Sequence, residues 1–553
     1  MPGYTIGVDY GTLSGRAVLA DTADGRVLAS VSLDYPHGVM DRQLPDGTPL
    51  PRDWALQHPR DYLDVLEYTI PRLLRESGVR PEEILAVGVD VTAATPLPVT
   101  REGTPLCFLP EYQAEPHAYA HLWKHHAAQK LADRMTETAE ARGEKWLEAY
   151  GGKVSCETAL PKLWQVLEEA PRVYEAAAYW VEAADWIVWQ LCGRPQQSAC
   201  SAGFKYLYCA PEGYPSEDYF AALDPRLRHV MRDKCSLPVI PLFSRAGAMT
   251  PEAAERLGLR PGTAVAASII DAHAGLPAAG ITGPGEMVMI LGTSACFMVC
   301  DEAYHPVSGC YAVKDGILPG LWSYEAGQNS VGDAFAWMLR SCVPASVERE
   351  AEARGITVHE VLSGRAAVKQ PGETGLLALD WFNGNRSILM DSALTGGILG
   401  LTLQTAPEDI YRAIAEAVVC GARTILDHFN QNGVAVRKLL VTGGISRKNP
   451  MMMQMYADML QMPVEVPKTF EGSASGAAMT AAAAAEAGMP GGRSVREIIR
   501  DMAPKEKTVY LPDPAKAEGY DRLFRLYTEM SEIMAREGSV MKQLLAFRQG
   551  QKS

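Results

Sequence analysis

Two short turns in this sequence carry residues able to hold phosphate oxygens. In the first, Asp9-Tyr10-Gly11-Thr12 ends one apolar run and Arg16 lies in the next. A turn tightened by glycine presents backbone N–H groups, the Thr12 hydroxyl adds a donor, and Arg16 adds charge, a set suited to an anion. Asp9, at a strand end, is placed for Mg2+, which takes oxygen ligands and keeps several waters. The second turn, Gly292-Thr293-Ser294, lies between two further apolar runs roughly half the chain away. Either turn alone is also an ordinary β-hairpin. Two of them facing across a cleft would hold a polyphosphate from both sides.

Asp271 in "SIIDAHAGLPAAG" follows a buried-type strand and precedes a small-residue helix start. That is the carboxyl end of a sheet, where ligand sites of α/β proteins gather. A carboxylate there can take a proton from an attacking hydroxyl, or can simply cap the helix. His273 reads as structural. Gly443-Gly444 ends another strand and lets a flat ring approach the backbone, with Asn449 and Gln454 at the head of the next helix. An adenine slot and a plain strand-to-helix turn are the two readings. His117, His121 and His125 are spaced to share a helical face, so a metal is considered. With no cysteine near and Glu115 the only close carboxylate, burial near the cleft is the reading kept. The chain has no GxxxxGK[ST] and no GxGxxG after a strand, so P-loop and dinucleotide-fold readings fail.

The elements that position these residues are legible in outline. Residues 4–9 and 16–20 read as a hairpin that residues 26–35 extend. Residues 59–77 carry a helical stripe closed by Gly78, and residues 84–92 form a strand apolar enough for burial on both faces. Residues 162–191 read as helix broken at Pro171, bearing Trp180, Trp186 and Trp189 as core and ending at Gly193. A second half begins near residue 262 with a buried-type strand over 263–270, then a strand–turn–strand over 285–300. After these come a helix over 407–431, a strand over 438–444, an alanine-rich helix over 474–487 and one or two amphipathic helices over 514–548. The repeated strand–Gly-Thr–strand pattern points to a duplicated α/β domain with a cleft between the copies, divided as 1–262 and 263–553.

The 553 residues exceed one compact core, and 47% hydrophobic with 21% charged residues is ordinary for a globular protein. A net charge of -14 opposes binding to nucleic acid. Eleven cysteines without a CxxC read as reduced thiols, not a disulfide framework or a zinc site. The most apolar stretch, residues 287–299, is too short and glycine-interrupted to span a membrane. With no leader read at the start, the expected location is the cytoplasm. A homodimer is the base-rate expectation.

Taken in order, D-x-G-T near the start, D-A-H-A-G, L-G-T-S and T-G-G-x-x-x-x-N resemble the FGGY carbohydrate kinases, over essentially the whole chain. The resemblance implies two RNase H-like domains of the actin/hexokinase/Hsp70-like ATPase superfamily, with the active site between them. Asp9, Gly11, Thr12 and Arg16 match its first phosphate motif, Gly292 and Thr293 the second, and Gly443, Gly444 and Asn449 the adenosine motif. Asp271 matches the general base. Ala93, Lys205, Asp271 and Glu325 match positions that line the sugar pocket. The stretches "GVDVTAATPLPV", "LWKHHAA", "VEAADWIVWQL", "CSAGFKYLY" and "EAGQNSVGDAFAW" are similar to the branch acting on L-ribulose. The implied activity is ATP- and Mg2+-dependent phosphorylation of its 5-hydroxyl, in L-arabinose catabolism. The segment at Lys162 departs from the family pattern, because Trp164 stands two residues after the lysine and the pattern has three. The alternatives are a kinase for D-ribulose, xylulose or ribitol, a non-catalytic ATP-binding sugar sensor, and an actin- or chaperone-type clamp. The helical tail offers neither polymerisation surfaces nor a β-rich peptide domain.

Overall fold

A computed structural model describes residues 3–468 and 471–548. The opening hairpin forms as its pattern predicts. β1 (Tyr4–Tyr10) and β2 (Ser14–Asp21) run antiparallel, and β3 (Val27–Asp34) extends the sheet. Helix α1 (Pro59–Ser77) covers it and ends at Gly78, whose φ of 69° is the left-handed C-cap that glycine adopts without strain. β4 (Ile84–Val91) then pairs parallel to β1. Near-complete burial of β4 explains its almost unbroken apolar run. β5 (Arg245–Ala248), β6 (Ala264–Ala266) and β7 (Ile269–Ile270) complete this sheet, with β6 and β7 both parallel to β4. The first sheet therefore runs past residue 262, and residues 264–270 belong to it.

The second sheet repeats the plan. Its hairpin is β8 (Glu286–Leu291) and β9 (Ala295–Asp301), flanked by β10 (Tyr311–Lys314) and β11 (Trp322–Gln328). β12 (Lys438–Thr442), β13 (Val464–Pro467) and β14 (Lys507–Tyr510) complete it, in the order β10-β11-β9-β8-β12-β13-β14. Each sheet has seven strands and an antiparallel hairpin beside a parallel strand, so the fold is mixed α/β with two equivalent halves.

Residues 162–191 differ from the helix expected there. The observed elements are helices Ala159–Glu169 and Pro171–Ala176, a strand Tyr179–Glu182 and a helix Ala183–Cys192. Trp180 therefore lies on a strand, paired with Pro98. Its partner strand, Pro96–Val99, contains two prolines that hide it from a propensity reading. Trp180, Trp186 and Trp189 are all buried, as expected.

Three helices join the halves. α2 (Ala199–Lys205) belongs to the first half but packs on β10, where Gly203 meets Val313. α3 (Asp271–Ala278) follows β7 directly. α5 (Ser473–Glu486), the alanine-rich helix, comes from the second half yet lies across β1 and β4 of the first sheet. Between α3 and α5 in sequence, α4 (Gly332–Cys342) follows β11. α3 and α5 cross at Gly476, where a side chain would enter the Ala274 backbone. Gly7 and Gly88 play the same part under α5. Among the described residues no helix is long and apolar enough to cross a membrane.

Candidate functional site

The carboxyl ends of β1, β4 and β7 bring three acids together. Asp9 stands level with Arg16 on β2 and Asp90 on β4, and Asp90 stands level with Ile269, two residues before Asp271. Arg16 Nη2 lies 3.4 Å from Asp9 Oδ2 and donates to the Glu471 carbonyl at 2.9 Å. Asp90 is fully buried, and among the described residues no donor reaches either of its oxygens. Burial first, and Asp9 second, push its carboxyl well above the ordinary range.

Asp271 opens α3, with Oδ1 accepting from the Ala272 amide at 2.6 Å. Burial raises its carboxyl to about 7, and neighbouring Asp9 adds to the shift while Lys205 opposes it. Asp271 is thus poised to exchange a proton near neutral pH, as a general base requires.

In both Gly-Thr turns the carbonyls are tied to the protein, by side chains in one and by backbone amides in the other. In the first, the Gly11 carbonyl accepts from Tyr35 Oη at 2.9 Å and the Thr12 carbonyl from Gln57 Nε2 at 2.8 Å. Thr12 Oγ1 accepts from Trp123 Nε1 at 3.2 Å, which leaves its hydroxyl proton free to donate. In the second, the first amides of α4 hold the carbonyls. Gly332 N–H donates to Gly292 O at 3.0 Å, and Val331 N–H donates to Thr293 O at 2.8 Å. Among the described residues, the amides of Thr12 and Thr293 donate to no protein carbonyl. With carbonyls tied to the protein and amides left over, both turns are donor-rich, as anion binding requires.

Gly443 ends β12 beside this second turn, because Thr442 pairs with Ile290. Its φ of 94° and contact with the Leu291 backbone both require glycine. A side chain at Gly444 would meet nothing within 4 Å, so that backbone is open to a flat group. Asn449 is committed to the protein. Its Oδ1 accepts from the Met452 amide at 3.2 Å as a helix cap, and its Nδ2 donates to Tyr411 Oη at 3.0 Å. Gln454 turns to Asp458 and the Leu511 carbonyl.

Lys205, at the end of α2, is nearly buried, yet among the described residues its ammonium donates to no protein group. It acts electrostatically on Asp271, Glu325 and Glu157, which places it among them. Glu325 on β11 bonds His273 Nε2 through Oε2 at 2.8 Å and Arg386 through Oε1. Lys205, Arg386 and His273 hold its carboxyl well below the usual range in spite of burial. Ala93 lies half-buried just beyond β4. The next carbonyl, of Ala94, accepts from fully buried Lys162 Nζ at 2.7 Å, which also reaches Leu122 O at 2.9 Å and His121 O at 3.3 Å. Lys162 therefore shapes the loop that carries Ala93.

Sequence reasoning missed three residues here. Asp90 had a readable signal, since "GVDVT" ends a buried strand in the manner of "GVDYGT". Arg386 and Glu157 had none, because only the tertiary fold brings them to Glu325 and Lys205. The histidine segment is not a helix, as expected there, but a 3-10 turn Pro116–Ala118 and a short strand Ala120–His121. The rings still converge: His117 Nδ1 lies 3.2 Å from His121 Nε2, and His125 Nε2 lies 2.9 Å from Gln165 Oε1. Burial pushes His121 and His125 down, so both are neutral and packed against Trp54. Among the described residues, His37, His58 and Asp61 are close enough to share a cation. Those rings instead stack at 4.2 Å, with Asp61 bonded to His37 and His58 capping α1.

The family model for the N-terminal domain of the FGGY family of carbohydrate kinases matches residues 4–277, and that for the C-terminal domain matches residues 287–485. The ribulokinase of Bacillus licheniformis is 48% identical over 534 residues, covering 96% of this chain and 97% of the relative. The ribulokinase of Geobacillus thermodenitrificans is 46% identical over 544 residues, covering 98% and 96%. Among solved structures, a xylulose kinase from Rhodospirillum rubrum aligns with a TM-score of 0.77 at 24% identity, covering 96% of this chain and 98% of that one. This last likeness supports the fold.

Proposed function

Because the chain belongs to the FGGY family of carbohydrate kinases, we propose that it transfers the γ-phosphoryl group of ATP to the 5-hydroxyl of L-ribulose, a step of L-arabinose catabolism. The carrying observation is Asp271, a carboxyl raised to about 7 by burial and Asp9, within electrostatic reach of the nearly buried Lys205. The full-length relatives named as ribulokinases supply the sugar.

The sugar lies against Ala93, Lys205 and Glu325 with its terminal hydroxyl at Asp271. Lys205 donates to one hydroxyl or carbonyl oxygen, and Glu325 accepts from another. Asp271 takes the hydroxyl proton as the phosphorus–oxygen bond to the sugar forms and the bond to ADP breaks. The amides of the two Gly-Thr turns and Arg16 stabilise the oxygens of the transferring group, and the open backbone at Gly443-Gly444 accepts the adenosine end. Phosphoryl transfer passes through a loose transition state, so positioning and electrostatics carry most of the acceleration.

An oxygen-only donor set at Asp9, with the orphaned oxygens of Asp90 beside it, fits a hard divalent cation. Asp9 would hold Mg2+, which supplies charge neutralisation at the phosphates.

Coupled detection of ADP release over L- and D-ribulose, L- and D-xylulose, ribitol and glycerol tests this. The highest kcat/KM is expected with L-ribulose. Preference for another member overturns the sugar assignment alone, and no sugar-stimulated turnover overturns the kinase.

A further inference from the structure

The Glu325 carboxylate is gripped on both oxygens, and each grip is itself fixed. On Oε2, His273 Nε2 sits at 2.8 Å. His273 Nδ1 faces the Cys200 thiol at 3.1 Å, so an S–H donor there leaves the ring proton on Nε2, aimed at Glu325. On Oε1 the partner is Arg386 Nη2. Arg386 arrives from a loop tied to the strand that bears Glu325. Ser387 N–H donates to Gly327 O at 3.2 Å, and Gly327 N–H donates to Ser387 Oγ at 3.1 Å. A Cβ at Gly327 would lie 2.9 Å from Arg386 Nη1, so glycine there makes room for the guanidinium.

Arg386 is not sealed in. Its side chain is 30% exposed, against 6% for Glu325. Glu157 of the first half, 3.7 Å from His126 Nε2, interacts electrostatically with it. His126, Arg386 and Lys205 together draw the Glu157 carboxyl down to about 2. The guanidinium thus bonds one carboxylate, Glu325, and attracts a second, Glu157, from the other half, and among the described residues Glu325 is its one hydrogen-bond partner. A planar fork can hold one carboxylate oxygen and still present N–H groups elsewhere, which an ammonium cannot do in fixed directions.

We propose that Arg386 is a positioning residue for sugar recognition: with His273 it fixes the Glu325 carboxylate in the orientation that distinguishes one sugar epimer from another. This rests on the sugar-kinase reading above. A carboxylate held at both oxygens offers its remaining lone pairs in set directions, so a hydroxyl of the wrong configuration finds no acceptor. A carboxylate freed on one side can turn to meet it.

The test is steady-state kinetics of Arg386→Gln, Arg386→Lys and Arg386→Ala, the last with and without added guanidinium, on the sugar panel. Thermal unfolding of each variant is recorded alongside. For Arg386→Gln, the sugar KM should rise about tenfold or more while the ATP KM stays within about twofold. Its preference for the best sugar over that sugar's epimers should fall several-fold. Arg386→Lys should recover part of the sugar KM, and guanidinium should restore Arg386→Ala. Unchanged sugar KM and epimer preference in folded Arg386→Gln would overturn the proposal. So would equal rises in both KM values with a lowered Tm and no guanidinium rescue. The wild-type panel reads the sugar assignment separately: should another sugar be best, the variants are compared on that sugar. Should none turn over, sugar binding by calorimetry replaces KM.

Discussion

Asp90 stands level with Asp9 on the neighbouring strand, and both its oxygens are buried without a donor among the described residues. Where no cation neutralises the pair, a proton kept on one of the two carboxyls relieves their repulsion. The raised carboxyl of Asp90 identifies which one keeps it. Native Asp90 holds its proton more tightly than the unfolded chain does. Its contribution to stability is therefore fully present below the unfolded value and is lost as pH rises toward the native one. Asp90→Asn, which cannot ionise, should gain stability over wild type as pH rises from 4.5 to 8, by about 1–3 kcal/mol at the upper end. Urea unfolding at the two pH values reads this. An equal difference at both would exclude an ionisation effect.

Asp271→Asn should lower kcat by a factor of about 10^2–10^4 while nucleotide binding persists. In its proposed role Asp271 acts ionised, and its carboxyl is raised to about 7 by burial, so kcat/KM should rise with pH through that value. Near-normal turnover in the variant would remove Asp271 from the role of base.

Lys205→Met should act on the sugar and not on the nucleotide. Loss of a charged donor to one hydroxyl corresponds to a rise in sugar KM of about tenfold or more, with ATP KM unchanged. Lys205 also lowers the Asp271 carboxyl, so its removal should move the acid limb of the pH profile to higher pH. A pH–rate series on both proteins checks the direction.

Lys162 donates to three buried carbonyls. Lys162→Met leaves all three without their charged donor and should cost at least about 3 kcal/mol in denaturant unfolding. Glu182, near Lys162 and bonded to the Thr95 amide at 2.9 Å, loses a compensating cation in the same step. The double variant with Glu182→Gln should recover part of the loss.

At the helix crossing, Gly476→Ala would drive a methyl group into the Ala274 backbone. Overpacking of this kind costs about 1–3 kcal/mol. Because α3 carries Asp271, the variant should also lose kcat at temperatures where it is fully folded. Circular dichroism and single-turnover assays separate the two effects.

Local chemistry explains which features could be read from the chain. The turns at Gly11-Thr12 and Gly292-Thr293, α1 with its glycine cap and the helix Pro407–Gln431 follow from short-range periodicity and turn residues, and they form where expected. The strand bearing Trp180 did not, because Pro171 suits a helix start and the extended segment is stabilised by a partner eighty residues earlier. Asp90 needed strand register, and Arg386 needed a loop folded against Gly327. The likeness of "GVDVT" to "GVDYGT" hints at Asp90 without its register, and Arg386 leaves no trace in residue spacing. Asn449 was legible as a helix head, and its side chain is engaged in that cap.

α5 comes from near the end of the chain and closes the sheet built by its beginning. Thr5 Oγ1 donates to the Ala478 carbonyl, 473 residues away, and Arg493 reaches the Thr22 carbonyl. During synthesis, β1 and β4 emerge long before the helix that covers them. The face under α5 therefore stays uncovered, or sheltered by a chaperone, until residue 486 has left the ribosome. Such distant contacts also slow folding, since the loop must close before the contact rewards it. Truncation before residue 486 should therefore yield an aggregating product and not a stable half-enzyme.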